Sequence, residues 1–486
     1  MGTIEYSVSH VMSKNKITLI GEELKRCEKA IDAKYKSSHT ILDNLLGQIQ
    51  KVNFLDKSGL PEDAKIPRKL YVVITIDELL DVAVANNWGL ATRDGFIYVF
   101  NGEYWHPICA EDFKPFLALA ARKMGVPVLE SKYHLFKDEL YKQFLSESTL
   151  RPPEGGEYVL INLKNGTFEI SPDRQGLRPF RREDFIKYQL SFRYDRNAIC
   201  PIFDKYLERV LPDEGCRNVL CEYIGYIFVS NLKLEKAAIL YGSGANGKSV
   251  FFEIINALLG QENICSYSLQ NLTKYDSYQR AELANRLLNY ASEINGKLEA
   301  SIFKQLVSGE PVEARQIYGK PFTMKSYAKL MFNCNELPKE VEQTNAFFRR
   351  FIIIPFSETI PEPEQDPELA RKIIDNELSG VFNWVLGGLT RLLSQKHFTF
   401  SEKVKEQVDN YRKESDSVVM FIDEFGYTPS FEGSFFLKMV YNEYKEYTID
   451  GGYRPVSIKT FAERLRMMRF EVVKQKTGRI FYAVKK

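Results

Sequence analysis

One nine-residue run constrains this chain more than any other: Tyr241-Gly242-Ser243-Gly244-Ala245-Asn246-Gly247-Lys248-Ser249. The apolar segment Ala237-Ala238-Ile239-Leu240 stands ahead of it, and residues 250–259 follow with apolar positions at helical spacing. A strand, a glycine turn and a helix in that order aim consecutive backbone N–H groups, and the positive end of the helix, at one spot. The run fits G-x-x-x-x-G-K-[ST], the P-loop of nucleoside triphosphatases. On that reading Gly242, Ser243, Gly244, Ala245, Asn246 and Gly247 line a phosphate cradle. Lys248 reaches the β- and γ-phosphates and the Ser249 hydroxyl holds Mg²⁺, so ATP and Mg²⁺ are the expected cofactors.

At 486 residues the chain exceeds what one hydrophobic core organises, and two to four domains are expected. With 44% hydrophobic and 27% charged residues, its composition is that of a globular protein. No apolar run has the length of a membrane span, and residues 1–16 lack a signal-peptide pattern. The seven cysteines are scattered and never spaced C-x-x-C, and the five histidines do not cluster. Reduced thiols in a cytoplasm are therefore expected, without a disulfide frame or zinc ribbon. Residues 451–486 hold ten Lys and Arg against two Glu, a basic end suited to a polyanion.

Four regions are expected: a helical and linker stretch over 1–69, a mixed α/β domain over 70–199, the P-loop domain over 200–400, and a basic module over 401–486. In the first, 22–35 and 41–54 have helical periodicity and 56–63 reads as a linker. In the second, two hairpins are signalled by aromatic and β-branched runs about Asn101-Gly102 and Asn165-Gly166. A helical block over 202–229 leads into the P-loop, and strand–helix alternation after it implies a parallel sheet. The last seventy or so residues read helix, helix, hairpin: 435–447, 458–468, then strands 471–474 and 480–484. That is the order of a winged helix.

Hydrolysis needs an acid near the loop, and Glu293, closing the apolar run Leu287-Leu288-Asn289-Tyr290-Ala291-Ser292, is the candidate at the end of a neighbouring strand. It would act as catalytic acid and metal partner. Asn335 ends the strand Ala328-Lys329-Leu330-Met331-Phe332-Asn333-Cys334 before Pro338 stops it, and either senses the γ-phosphate or caps the next helix. Arg349 and Arg350 stand just ahead of the strand Phe351-Ile352-Ile353-Ile354, where a rigidly held arginine could reach the phosphate of another subunit.

P-loop, terminal glutamate, asparagine-ended strand and paired arginine in this compact order resemble superfamily 3 helicases. More narrowly the chain resembles the helicase half of phage/plasmid-type and poxvirus-type primase–helicases. Further segments that carry the resemblance are Tyr194-Asp195 through Cys200-Pro201, Glu222-Tyr223-Ile224-Gly225-Tyr226, Phe303-Lys304-Gln305-Leu306, and residues 380–389. The resemblance implies an AAA+-like α/β core and a homo-oligomeric, hexameric ring. It implies 3′→5′ translocation on single-stranded DNA, with forked DNA as substrate and Arg350, with Arg349 in reserve, acting in trans. It also implies a pore hairpin between Glu293 and Asn335, where Lys320, Arg315 and Lys325 would track phosphates. In the C-terminal module Lys459, Arg464, Arg466, Arg469, Lys474, Lys476 and Arg479 are the expected DNA contacts. Residues before 70 are too few for a primase domain, so a primase or loader is expected on a separate chain. Nucleic-acid remodelling or packaging without strand separation, and origin-binding scaffolding, are the other readings of these motifs.

Overall fold

The computed structural model describes residues 41–93, 95–150, 158–171, 174–292, 294, 298–317, 321–338, 341–451, 454–476 and 478–485. They divide into two units: residues 1–194 with 259–263, and residues 195–258 with 264–486.

In the first unit, helices Arg68–Ala85, Ala110–Met124 and His134–Glu147 enclose a core that includes Ile76, Leu79, Phe113, Leu117, Phe136, Leu140 and Phe144. Strands β1 (Gly89–Arg93), β2 (Phe96–Phe100) and β3 (Trp105–Ile108) form an antiparallel sheet. Its predicted Asn-Gly turn is closed by the Asn101 side chain, which accepts the N–H groups of Glu103 and Tyr104 at 2.9 Å each. The second predicted hairpin is β4 (Val159–Leu163) and β5 (Gly166–Ile170), extended by β6 (Gln175–Arg178). Leu163 pairs with Gly166, so its two-residue turn is Lys164-Asn165, one position ahead of the Asn-Gly pair. The stretch expected as linker begins inside a short helix, Phe54–Ser58. The helix expected over 22–35 lies outside the described residues.

The second unit is built on a five-stranded parallel sheet of β7 (Ala237–Tyr241), β8 (Ile264–Cys265), β9 (Leu288–Ala291), β12 (Lys329–Cys334) and β13 (Phe351–Pro355). Between β9 and β12 the chain makes an antiparallel hairpin, β10 (Val312–Arg315) with β11 (Pro321–Met324). The sheet order is β13-β7-β12-β9-β8, so the strand that leads into the glycine loop lies between β13 and β12. Strands buried on both faces need near-continuous apolar sequence, and Ile239, Leu240, Leu288, Tyr290, Phe332 and Ile353 are inaccessible or nearly so.

Several segments that carried the family resemblance serve packing. Helices Glu214–Tyr226 and Leu369–Gln395 lie against one another. A Cβ at Gly388 would stand 2.4 Å from the Cys221 sulfur, and one at Gly225 would stand 2.8 Å from Leu389 Cβ, so both glycines are required for the approach. The fully buried Glu222 accepts from Arg391, from the Thr399 N–H at 2.7 Å and from Gln395 at 3.2 Å. Removing Arg391 alone would leave that carboxylate buried without a counter-ion, held by the Thr399 and Gln395 donors only.

Residues 417–485 hold more than the predicted helix–helix–hairpin. Helix Ser417–Glu424 and strand β14 (Tyr427–Phe436) precede helices Leu437–Asp450 and Ile458–Met467, and β15 (Val472–Gln475) and β16 (Gly478–Lys485) close the module. The sheet is antiparallel in the order β14-β16-β15, over a core of its own that contains Phe421, Leu437, Tyr444, Phe461, Leu465 and Phe481. Strand β14 shows no apolar alternation in sequence, because its aromatic residues fall on exposed as well as buried positions. Among the described residues no helix is long and apolar enough to cross a membrane, and no three-residue cluster of His, Cys, Asp or Glu is arranged to hold a metal.

Candidate functional site

All five strands of the parallel sheet run the same way, so their carboxyl ends share one edge. The glycine loop leaves β7 at that edge and enters helix Lys248–Leu259. Gly244, Ala245 and Gly247 all take positive φ (124°, 47° and 84°), which folds the backbone into a concave turn. Among the described residues the N–H groups of residues 244–249 have no hydrogen-bond partner. They stand at the start of a twelve-residue helix. Such a turn is receptive to an oxyanion.

Three sets of contacts hold the loop. Gly242 N–H donates to the Cys334 carbonyl at 3.1 Å, tying the loop to β12. The buried Asn246 amide donates to the Phe356 carbonyl at 2.9 Å, and Ile360 N–H donates to the Ala245 carbonyl at 2.8 Å. From helix Pro201–Val210 the Tyr206 hydroxyl donates to the Gly247 carbonyl at 2.8 Å. A Cβ at Gly242 would lie 2.2 Å from the Asn246 amide and 2.3 Å from the Phe356 carbonyl, and one at Gly247 would lie 2.7 Å from Val210. The glycines are therefore required by close approach as well as by φ.

Lys248 is buried, and its ammonium donates to the Gly242 carbonyl at 2.6 Å and to Asn246 Oδ1 at 3.0 Å. Burial lowers its pKa, with the nearby Cys334 acting the other way. The amine thus waits inside its own loop, on neutral acceptors that a multiply charged anion would outcompete. Ser249 is exposed on the first helical turn.

Asn335 follows β12 directly and is exposed. Cys334 pairs with Tyr241, so Asn335 lies one residue beyond that pair, as Gly242 does on β7. The strand leading to Glu293 differs from expectation: β9 is separated from β7 by β12, because the crossover after β9 returns the chain to the intervening position. Glu293 itself, like Lys320, lies outside the described residues. In the hairpin Val312 and Ala314 face the core while Glu313 and Arg315 are exposed, and Lys325 is exposed just past β11. The buried Arg280 donates to the Glu313 carbonyl at 3.1 Å and to the Leu272 carbonyl at 3.0 Å, which fixes the hairpin base.

The two arginines stand at the opposite, amino edge of the sheet, since Phe351 pairs with Ala237 at the start of β7. Five residues of extended chain put them about 17 Å from the loop of the same chain. They also differ from each other, and the choice of Arg350 as the outgoing side chain is corrected here. The Arg350 side chain is only 9% exposed; it donates to Ser308 Oγ at 2.9 Å and to the Ala346 carbonyl, and pairs with Glu235 at 3.2 Å. The Arg349 side chain is 56% exposed and pairs with Glu235 at 2.9 Å. Arg349 is the one free to reach outward.

A second correction falls in the C-terminal module. Arg464 is bound at 2.7 Å to Asp416, whose carboxylate also caps helix Ser417–Glu424 through the Val418 N–H at 2.9 Å. It holds two helices of the module together and is not an outward contact. Lys459, Arg466, Arg469, Lys474, Lys476 and Arg479 are all exposed. Tyr206 and Glu235 are the residues around the loop and the arginines that sequence reading missed; a lone Tyr in a helical block and a Glu before a strand carry no local signal.

Fold and site together define a mixed α/β protein with a concave, glycine-lined loop at the carboxyl edge of a parallel sheet. Two family descriptions match the chain: "D5 N terminal like" over residues 83–212, and a family of unknown function, DUF5906, over 240–350, which runs from the cradle strand to Arg350. A protein named Putative helicase 121R, of Invertebrate iridescent virus 3, is 24% identical over 332 residues, 60% of this chain and 34% of its own length. One with the name putative helicase in Acanthamoeba polyphaga mimivirus is 24% identical over 295 residues, 55% of this chain and 30% of its own. The chain thus spans about a third of the length of the curated relatives it matches. The apo structure of the NrS-1 C-terminal region aligns with a TM-score of 0.49 at 14% identity, covering 87% of this chain and 100% of that one. The family matches and the viral relatives support a phage and viral D5-like helicase family, in line with the resemblance read from the motifs.

Proposed function

We propose that this chain is an ATP-driven DNA helicase whose nucleotide pocket is shared between copies in a closed ring. The observation that carries this reading is the separation of cradle and arginine. The loop of residues 242–249 and the outward Arg349 lie at opposite edges of one sheet, so neither can serve the other within a chain. Each loop needs the arginine of a second copy, and a head-to-tail arrangement that closes makes a ring, a hexamer by the family resemblance. The P-loop of an AAA+-like core binds ATP, with Ser249 and Glu293 on Mg²⁺, Glu293 as catalytic acid and Asn335 as sensor. Arg349 supplies charge to the phosphates of the neighbouring site, and Arg350 anchors it.

Hydrolysis then moves the hairpin of Arg315, Lys320 and Lys325 along single-stranded DNA, 3′→5′ by the resemblance. The C-terminal module acts as a winged helix on DNA through Lys459, Arg466, Arg469, Lys474, Lys476 and Arg479, exposed cations suited to phosphate contacts. A primase or loader is its expected partner. A forked duplex with a fluorescent strand tests the reading. ATP should drive strand release by the wild type and none by Lys248→Ala. ATP hydrolysis stimulated by single-stranded DNA with no strand release would replace the helicase reading with nucleic-acid remodelling.

A further inference from the structure

The residues that lead into the cradle strand grip the residues that lead into β13, and they do so with both side chains and main chain. Glu235 pairs with Arg349 at 2.9 Å and with Arg350 at 3.2 Å. Lys236 donates its amine to the Arg349 carbonyl, and Ala237 N–H donates to the Arg350 carbonyl at 2.8 Å. Glu235 holds this place at φ 54°, in the left-handed region that a glutamate seldom adopts. Strain of that kind persists where surrounding contacts over-determine it.

Charge sharpens the point. Around this sheet edge stand Lys233, Lys236, Lys329, Arg349 and Arg350, near enough in pairs that Arg349 lowers the Lys236 pKa and Lys233 lowers that of Lys329, each in addition to burial. Glu235 is the carboxylate that both arginines share. Without it two guanidinium groups on adjacent residues would repel, and the exposed one would swing away.

We propose that Glu235 is the positioning residue for Arg349, fixing its guanidinium for the pocket of the neighbouring copy; this rests on the shared-pocket reading above. The same contact links two sites. Strand β7 carries the cradle at one end and, in the two residues before its start at Ala237, the grip on Arg349, so a shift of one chain's loop is passed to the arginine that serves the next.

Subunit mixing tests this. Glu235→Gln keeps the side-chain size and removes the charge. Its kcat for ATP should fall at least about ten-fold while KM stays within about two-fold, because its own cradle is intact. Mixed with Lys248→Ala, whose Arg349 is untouched, it should regain activity; mixed with Arg349→Ala it should not. Glu235→Asp, which keeps the charge on the same strained residue, should recover most of the loss. Rescue of Glu235→Gln by Arg349→Ala, an unchanged kcat, or equal loss in Gln and Asp variants would each overturn the assignment. Failure of Lys248→Ala and Arg349→Ala to rescue one another would instead remove the shared pocket itself.

Discussion

The two edges of the parallel sheet are made of the same five strands and solve opposite problems. The carboxyl edge is shaped by backbone: three residues at positive φ, glycines against which no Cβ fits, and N–H groups without partners. The amino edge is shaped by side-chain charge, with Arg349, Arg350 and Lys236 arranged around Glu235. At one edge Lys248 is buried within its own loop, and at the other Arg349 is 56% exposed. The lesson is that a parallel sheet separates its two edges by the full length of its strands, which is why the proposed pocket draws on two chains.

The sharpest way to break this comparison is to treat the adjacent arginines separately. Arg349→Ala should lower kcat for ATP about 10³-fold, the scale of an arginine supplied in trans, with melting unchanged since the side chain is exposed. Arg350→Ala should cost about 2–4 kcal/mol of stability in denaturant melts, as it leaves buried partners unsatisfied. Equal effects on activity would show that the edge works as one charge cluster.

At the other edge, Gly242→Ala should act through shape alone. Its methyl would meet the Asn246 amide and the Phe356 carbonyl, forcing loop or strand to move by overpacking worth about 1–3 kcal/mol. ATP-analogue affinity, measured by calorimetry, should fall about 10- to 100-fold. The loss should match in the presence and absence of Arg349.

The smallest effect concerns the cost of crowding cations at the amino edge. Lys329 has its amine 4.1 Å from the Tyr226 ring, and burial together with Lys233 pushes its pKa from 10.5 down to about 8. Below pH 8 both folded and unfolded chains carry the proton, and the full penalty is present. Between pH 8 and 10.5 the folded chain has released it while the unfolded chain has not, so stability rises with pH. The ring offsets part of the penalty. Lys329→Met should therefore be more stable than wild type by about 1–2 kcal/mol at pH 7, and the gap should close towards pH 10.

What could be read in the sequence follows the range of the forces involved. The cradle, the two hairpins of the first unit and the final ribbon rest on local signals: glycine φ, Asn-Gly turns and alternation within ten residues. The place of β12 between β7 and β9 does not, because parallel crossovers leave no mark on the strands they connect. Arg349 and Arg350 look alike in sequence. They share Glu235, and they are told apart by Ser308, 42 residues away from Arg350, which binds Arg350 alone. In sequence Arg464 is one basic residue among others on its helix, and only Asp416, 48 positions earlier, sets it apart. Strand β14 carries no clear alternation, because Phe431 and Phe436 are exposed beside Glu432 and Ser434 and its pairing is broken between Pro429 and Ser434.

The account turns on a pocket that two chains complete, and the dependence of activity on concentration tests this most directly. ATPase turnover per chain should rise with protein concentration through the range where sedimentation shows single chains joining, and vanish on dilution below it. Turnover per chain that stays constant down to concentrations where only single chains sediment would contradict it.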